Sequence, residues 1–169
     1  YNISPETLVK EKSFGVFVQD VSHYLTDDPE KSSKEYSICA SGVPFAHDKQ
    51  GIIPELIVEY YAERSEIKKK MLQAKSQYEK TKSTYLESEI NQLENNQLAI
   101  KILMNSLYGA LANKYFQYFD NALAESVTLT GQLSIKWAEK AINREMNRIL
   151  GTNSDYVIAI DTDSVYINM

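Results

Sequence analysis

Two long stretches without chain breakers constrain this sequence more than any other feature. Pro54 suits a first helical position and is followed by Glu55; from there to about Tyr78 no glycine or further proline occurs. A second run extends from about Thr84 to Ala112, with Gly109 as its one glycine. Leu56, Val58, Tyr60, Ile67, Met71 and Leu72 give the first run a discontinuous apolar stripe; Ile90, Leu93, Leu98, Ile102 and Leu103 do the same for the second. Each helix is roughly 35–45 Å long at 1.5 Å of rise per residue. The connection near Gln77–Ser83 is short and polar, so the pair is predicted to fold back as an antiparallel hairpin.

The flanking segments are mixed. Ser4-Pro5-Glu6-Thr7 resembles the start of a short helix, and Asp27-Asp28-Pro29-Glu30 through Ser33 reads as a turn. Tyr36–Ala40 reads as a strand, and the turn residues Gly42, Pro44, His47, Asp48 and Gly51 predict a small hairpin around 36–53. A third helix is expected from Asn121 to Leu150, capped by Asp120 or Asn121 and stopped by Gly151. Leu133, Trp137, Ala141 and Ile142 recur at helical spacing. Trp137 is expected in the core, and Gly131 is expected to mark a close helix contact. Apolar Tyr156–Ile160, then Asp161-Thr162-Asp163-Ser164, then Val165–Ile167 read as a β-hairpin with two carboxylates at its tip. The fold class is α+β: a long antiparallel helical hairpin on a partial base that ends in this acidic β-hairpin.

Composition narrows the function. The 169 residues, 43% hydrophobic and 24% charged, form one domain or a piece of a larger one, which excludes wholesale disorder. No apolar run approaches the roughly 18 residues of a membrane span, and the polar Tyr1–Ser13 segment has no signal-peptide pattern. The single Cys39 excludes an internal disulfide or a cysteine zinc site and reads as a small buried strand residue. His23 and His47 have no partner at metal-ligand spacing and receive no role. A net charge of −5 argues against nucleic-acid binding through the whole surface. Locally the balance inverts: Arg64–Lys82 holds seven basic residues against the acids Glu66 and Glu79. The chain opens at Tyr1 and stops at Met169 inside a predicted strand, and it is read as a fragment.

Two constellations carry chemistry. Asp161 and Asp163, one residue apart at a strand end, suit a hard divalent cation such as Mg²⁺; an ordinary polar turn has the same composition. An apolar strand ending in Asp-x-Asp also opens phosphatases with an aspartyl nucleophile, which would need a catalytic domain after residue 169. Lys101, Asn105 and Tyr108 lie at 0, 4 and 7 along the second helix and so within some 60° of one another. Gln97 and Ala112 extend the stripe by a turn each way. A cation, an amide and an aromatic in line suit a nucleotide, and Gly109 leaves room for a flat group near the backbone. The alternative is a solvated amphipathic face. Arg64 and Lys68 share a face of the first helix; if it packs on the Lys101 helix, three cations converge on one polyphosphate.

Lys101-x-x-x-Asn105-Ser106-x-Tyr108-Gly109, followed by Asp161-Thr162-Asp163-Ser164 between apolar strands, resembles family B DNA polymerases. The first looks like motif B of the fingers and the second like motif C of the palm. Tyr1–Thr7 is similar to the segment just after motif A, and the details are most like those of large tailed phages. The resemblance covers the whole chain and implies that residues 1–53 and 115–169 are palm and 54–114 fingers. It implies that Lys101, Arg64 and Lys68 contact the triphosphate of the incoming nucleotide, with Asn105 beside it. Tyr108 would line the nascent base pair, with Gly109 next to it, and Ser164 would sit near the primer terminus. Asp163 would bind both catalytic Mg²⁺ ions, with Asp161 close by. Primer-template DNA and deoxynucleoside triphosphates are the implied partners, with no membrane, and the implied location is the cytoplasm, that of the host if the source is viral.

One departure is Ile160, where many members carry glycine. The motif A aspartate is not in this chain, so the fragment alone is expected to be inactive. Unpaired palm strand edges are expected to allow a dimer or swapped hairpin in a crystal. Besides the phosphatase, the rival reading is a helical-hairpin interaction module whose basic stripe binds an acidic partner.

Overall fold

In a computed structural model, residues 1–9, 21–25 and 35–168 are described, the side chains of Ser22 and His23 excepted. The chain divides into two units, Tyr1–Lys49 with Asn121–Met169, and Gln50–Asp120. The turn expected at Asp27–Ser33 lies outside the described residues, as does the side chain of His23. The architecture is the α+β class expected: among the described residues, three long helices, one short 3-10 turn at Val21–Leu25 and two small antiparallel hairpins.

The second unit is the helical hairpin. Helix α1 spans Ile52–Thr81 and α2 spans Thr84–Leu111, roughly 45 and 42 Å of helix. The first helix starts two residues before Pro54, which still falls in the opening turn, where a missing N–H costs no helical bond. The reversal uses only Lys82 and Ser83. Lys82 adopts a left-handed backbone at φ 51 and donates its N–H to the Tyr78 carbonyl at 2.8 Å. Ser83 precedes α2 with an extended backbone, and its carbonyl receives the Glu87 N–H at 3.2 Å. Met71, Ala74 and Ile90 form the buried seam, with Tyr78 and Leu93 packed against it. Val58, Leu72, Ile102 and Leu103, assigned to the apolar stripes, are instead exposed. Within this unit each helix has one neighbour, which covers only the facing seam.

The first unit is held by helix α3, Asn121–Leu150. It has the expected bounds, and Gly151 adopts φ 65 just after it, where glycine carries no Cβ penalty. The Thr152 N–H returns to the Asn147 carbonyl at 3.2 Å, completing a Schellman-type stop. Strands β1 (Tyr36–Ile38) and β2 (Pro44–Ala46) pair antiparallel, as expected for the 36–53 region. Leu8 bridges Phe45, whose ring is fully buried. The helix expected at Ser4–Thr7 is a turn: the Thr7 N–H reaches the Ser4 carbonyl, while its hydroxyl donates to the carbonyls of Asn2 and Ser4. The chain then extends to pair with β2, so no second helical turn can form.

Against α3, Val21 and Ala40 make a small core with Tyr24, Leu129 and Leu133. Lys140 also donates to the Leu25 carbonyl at 2.6 Å. Trp137, one turn beyond Leu133, is 61% exposed and not a core residue. Among the described residues this buried cluster ends at Leu133, one turn short of Trp137. Gly131 marks no close contact either; a Cβ placed there would meet nothing within 4 Å. Strands β3 (Val157–Asp161) and β4 (Ser164–Ile167) form the C-terminal hairpin and contact α3. No described helix is long and apolar enough to cross a membrane.

Cys39 follows β1 directly and is fully buried. Burial pushes its thiol up from 9.0 to about 11, although hydrogen bonding to Thr130 and Ser126 pulls the other way. A folded value above the unfolded one gives stability that is full below about pH 9 and lost as pH rises through about 11. Native protein at pH 8 is expected to resist thiol alkylation at Cys39 and to react once denatured. Rapid labelling of the native form would contradict the burial.

Candidate functional site

The acidic tip follows from the hairpin's register. Asp161 pairs with Ser164, leaving Thr162 and Asp163 as a two-residue turn. Thr162 sits at φ 51, a left-handed backbone unusual for a β-branched residue and costing on the order of 1–3 kcal/mol. Its hydroxyl donates to Asp161 Oδ1 at 3.1 Å, a local bond that helps hold the turn. Both carboxylates and Ser164 are exposed. Ile160, beside them, pairs with Val165 and is 37% exposed. As oxygen donors one residue apart, Asp161 and Asp163 fit a hard cation in kind. Among the described residues no group of three His, Cys, Asp or Glu side chains gathers, so further ligands would have to come from elsewhere.

Strand β3 carries a bulge between Val157 and Ala159, which leaves Ile158 out of the pairing. The strand's start is tied to α3. Asn143 Oδ1 accepts the N–H groups of Tyr156 at 2.8 Å and Val157 at 3.3 Å, and its Nδ2 donates to Asp155 Oδ1 at 2.7 Å. Asn147, one turn on, accepts from Ser154 N at 2.8 Å and Thr152 Oγ1 at 3.0 Å, and donates to the Ser154 carbonyl at 2.9 Å. Sequence reasoning passed over both residues. The signal available was two asparagines four apart inside a helix, where asparagine is a poor helix former.

A second, separate constellation lies on the helical hairpin. Lys101, Asn105, Tyr108 and Gly109 are all exposed on α2. A Cβ at Gly109 would meet nothing within 4 Å, so the backbone there is open to a flat group. Arg64 on α1 donates from Nε to Gln97 Oε1 at 3.2 Å. Gln97 belongs to the same α2 stripe one turn before Lys101, so the guanidinium stands on the side of α1 that faces this stripe. Lys68 is exposed one turn further along α1 and lines a shallow concavity with Ser65, Lys69, Leu72, Gln73 and Ser76. Arg64 and the α2 stripe are thus brought together within this unit, while the carboxylates belong to the other.

A family model described as DNA polymerase family B matches residues 1–169. The DNA-directed DNA polymerase of Enterobacteria phage T4 is 33% identical over 208 residues, covering 98% of this chain and 23% of the phage protein. That of Escherichia phage RB69 is 29% identical, covering 99% and 23%. A DNA polymerase of Pyrococcus glycovorans is 33% identical over 166 residues, covering 98% and 17%. The chain therefore spans about a quarter or less of the length of these relatives. The phage alignments extend over more positions than the chain has residues, so the phage proteins carry insertions that it lacks.

Replacing Gly109 or Gly131 by alanine is expected to stabilise the respective helix by up to about 1 kcal/mol, because each has open space for a methyl group. Thermal denaturation measures this. A loss of stability at either site would show a close contact that the structure lacks.

Proposed function

The chain belongs to DNA polymerase family B, and from that premise we propose that the protein containing it is a DNA-directed DNA polymerase that adds deoxynucleotides to a primer 3′-hydroxyl. In this reading 54–114 are fingers, and 1–53 with 115–169 are palm. The observation that carries it is the match to DNA polymerase family B over residues 1–169; the Arg64–Gln97 hydrogen bond adds support, since it sets a cation from α1 beside the α2 stripe of Lys101, Asn105 and Tyr108.

Each residue has a role in that mechanism. Lys101 and Lys68 offer compact charges to the triphosphate, and Arg64 offers a planar fork that matches phosphate oxygens. Asn105, one helical turn from Lys101, lies beside the same triphosphate. Tyr108 lines the nascent base pair on its minor-groove side, and the bare backbone at Gly109 admits the flat group next to it. Ser164, paired with Asp161 across the tip, sits near the primer terminus. Asp163, with Asp161 beside it, would hold Mg²⁺, which when bound lowers the pKa of the primer hydroxyl and neutralises the leaving pyrophosphate. Closure of the fingers would carry Arg64, Lys68 and Lys101 onto the triphosphate only when the base pair fits, which couples selection to chemistry.

Primer extension by the full-length protein tests this. Lys101→Ala is expected to lower kcat/KM for the nucleotide on the order of 10²–10³-fold, the scale of removing one preorganised charge donor. Asp163→Asn is expected to abolish incorporation. Wild-type rates in either variant would overturn the assignment. The 169-residue chain by itself is expected to incorporate nothing, since among the described residues no third ligand gathers beside Asp161 and Asp163, too few for two Mg²⁺. Template-dependent incorporation by the isolated chain would refute that.

A further inference from the structure

We propose that Asn143 and Asn147 are positioning residues that set the depth and direction of the Asp161–Asp163 tip by clamping the other end of its strand. The inference rests on the polymerase reading of that tip and extends it to residues on the opposite side of the hairpin. Strand β3 has only five residues and one partner, β4, so neither long pairing nor a neighbouring described strand fixes where its acidic end points. A two-stranded ribbon of this size is marginal by itself in water. Its orientation must come from what grips it.

Helix α3 supplies the grip. The Asn143 side chain closes a ring of hydrogen bonds: its oxygen takes the Tyr156 and Val157 N–H groups, its amide donates to Asp155 Oδ1, and that same oxygen receives the Val157 N–H at 3.1 Å. Asn147 holds the preceding residue through both backbone groups of Ser154. The loop closes on itself where Thr152 Oγ1 lies 2.6 Å from the Tyr156 hydroxyl. The Asn168 N–H reaches the Tyr156 carbonyl at 2.9 Å, so the end of the second strand is tied to the clamped residue too. Val157, the gripped residue, is the buried member of β3, while Ile158 to Asp161 are exposed. The strand is thus anchored at one end and free at the other. Between them lies the bulge at Ile158, which changes the pleat and hence the side on which Asp161 emerges. An amide is the group that suits this task. Only a side chain with both an acceptor and a donor can take two backbone N–H groups and still satisfy a carboxylate.

Groups that orient metal-binding residues typically matter by 10- to 100-fold in activity or metal affinity. The test uses the full-length protein, a primer-template, one deoxynucleotide and a MgCl₂ titration. Asn143→Asp keeps the acceptor for Tyr156 and Val157 but sets a carboxylate against Asp155. It is expected to lower kcat on the order of 10- to 100-fold and raise the Mg²⁺ concentration for half-maximal rate, with Kd for primer-template unchanged. The double change Asn143→Asp with Asp155→Asn restores one donor and one acceptor and is expected to recover both. A single variant with unaltered kcat and Mg²⁺ requirement, or a double variant no better than the single, overturns the proposal. The double variant keeps the test decisive even if the single one folds poorly. A second readout separates this from the polymerase assignment: Asn143→Ala should speed hydrogen exchange at the Tyr156 and Val157 amides whether or not primers are extended. Unmutated protein that extends no primer refutes the polymerase reading, whereas unchanged exchange at those amides refutes the clamp.

Discussion

A threonine held at φ 51 is the constraint on which the acidic end of this structure depends. With Asp161 paired to Ser164, only two residues remain to reverse the chain, and Thr162 must adopt a left-handed backbone that β-branched residues avoid. A conformation costing on the order of 1–3 kcal/mol persists only where its surroundings determine it. Here they are the Thr162–Asp161 side-chain bond, the four register pairs of the hairpin and the asparagine contacts from α3 at its far end. The gain is two carboxylates at one exposed edge, a place where water would otherwise favour a looser turn.

The chain's net charge of −5 falls on the unit of Tyr1–Lys49 with Asn121–Met169, nine basic against fourteen acidic residues; Gln50–Asp120 holds nine of each, with its cations gathered mostly between Arg64 and Lys82. Lys68 and Lys101 are exposed on the long helical hairpin and Asp161 and Asp163 on the short β-hairpin, which belong to different units. Arg64 meets a neutral amide, Gln97, which orients the guanidinium without discharging it.

Much of this was legible in the sequence where local chemistry decides. The hairpin helices follow from the absence of breakers, and α3 ends on Leu150 because Gly151 can take φ 65. The tip follows from apolar strands around Asp-Thr-Asp-Ser. Boundaries moved by two or three residues at Ile52 and Thr81 because a proline in the first turn does not fix where that turn begins. What failed did so through tertiary context. The Ser4-Pro5 signal lost to pairing with β2, and Trp137 has the spacing of a core residue but is 61% exposed, one turn beyond the buried cluster. The Asn143 and Asn147 contacts do not follow from sequence spacing, because their partners lie 5 to 14 residues away, in the loop after α3 and at the start of β3. The family resemblance names the residues proposed to touch substrate; the contacts of Asn143 and Asn147 come from the structure.

The central claim, that cations of the helical hairpin and carboxylates of the β-hairpin serve one nucleotide, is tested most directly by a ternary-complex structure. The full-length protein would be crystallised with primer-template, Mg²⁺ and a non-hydrolysable deoxynucleoside triphosphate. The account predicts Arg64, Lys68 and Lys101 on the phosphates and Asp163 on metal, with Thr162 still in its left-handed backbone. A triphosphate bound away from the α2 stripe, or Mg²⁺ held without Asp163, would contradict it.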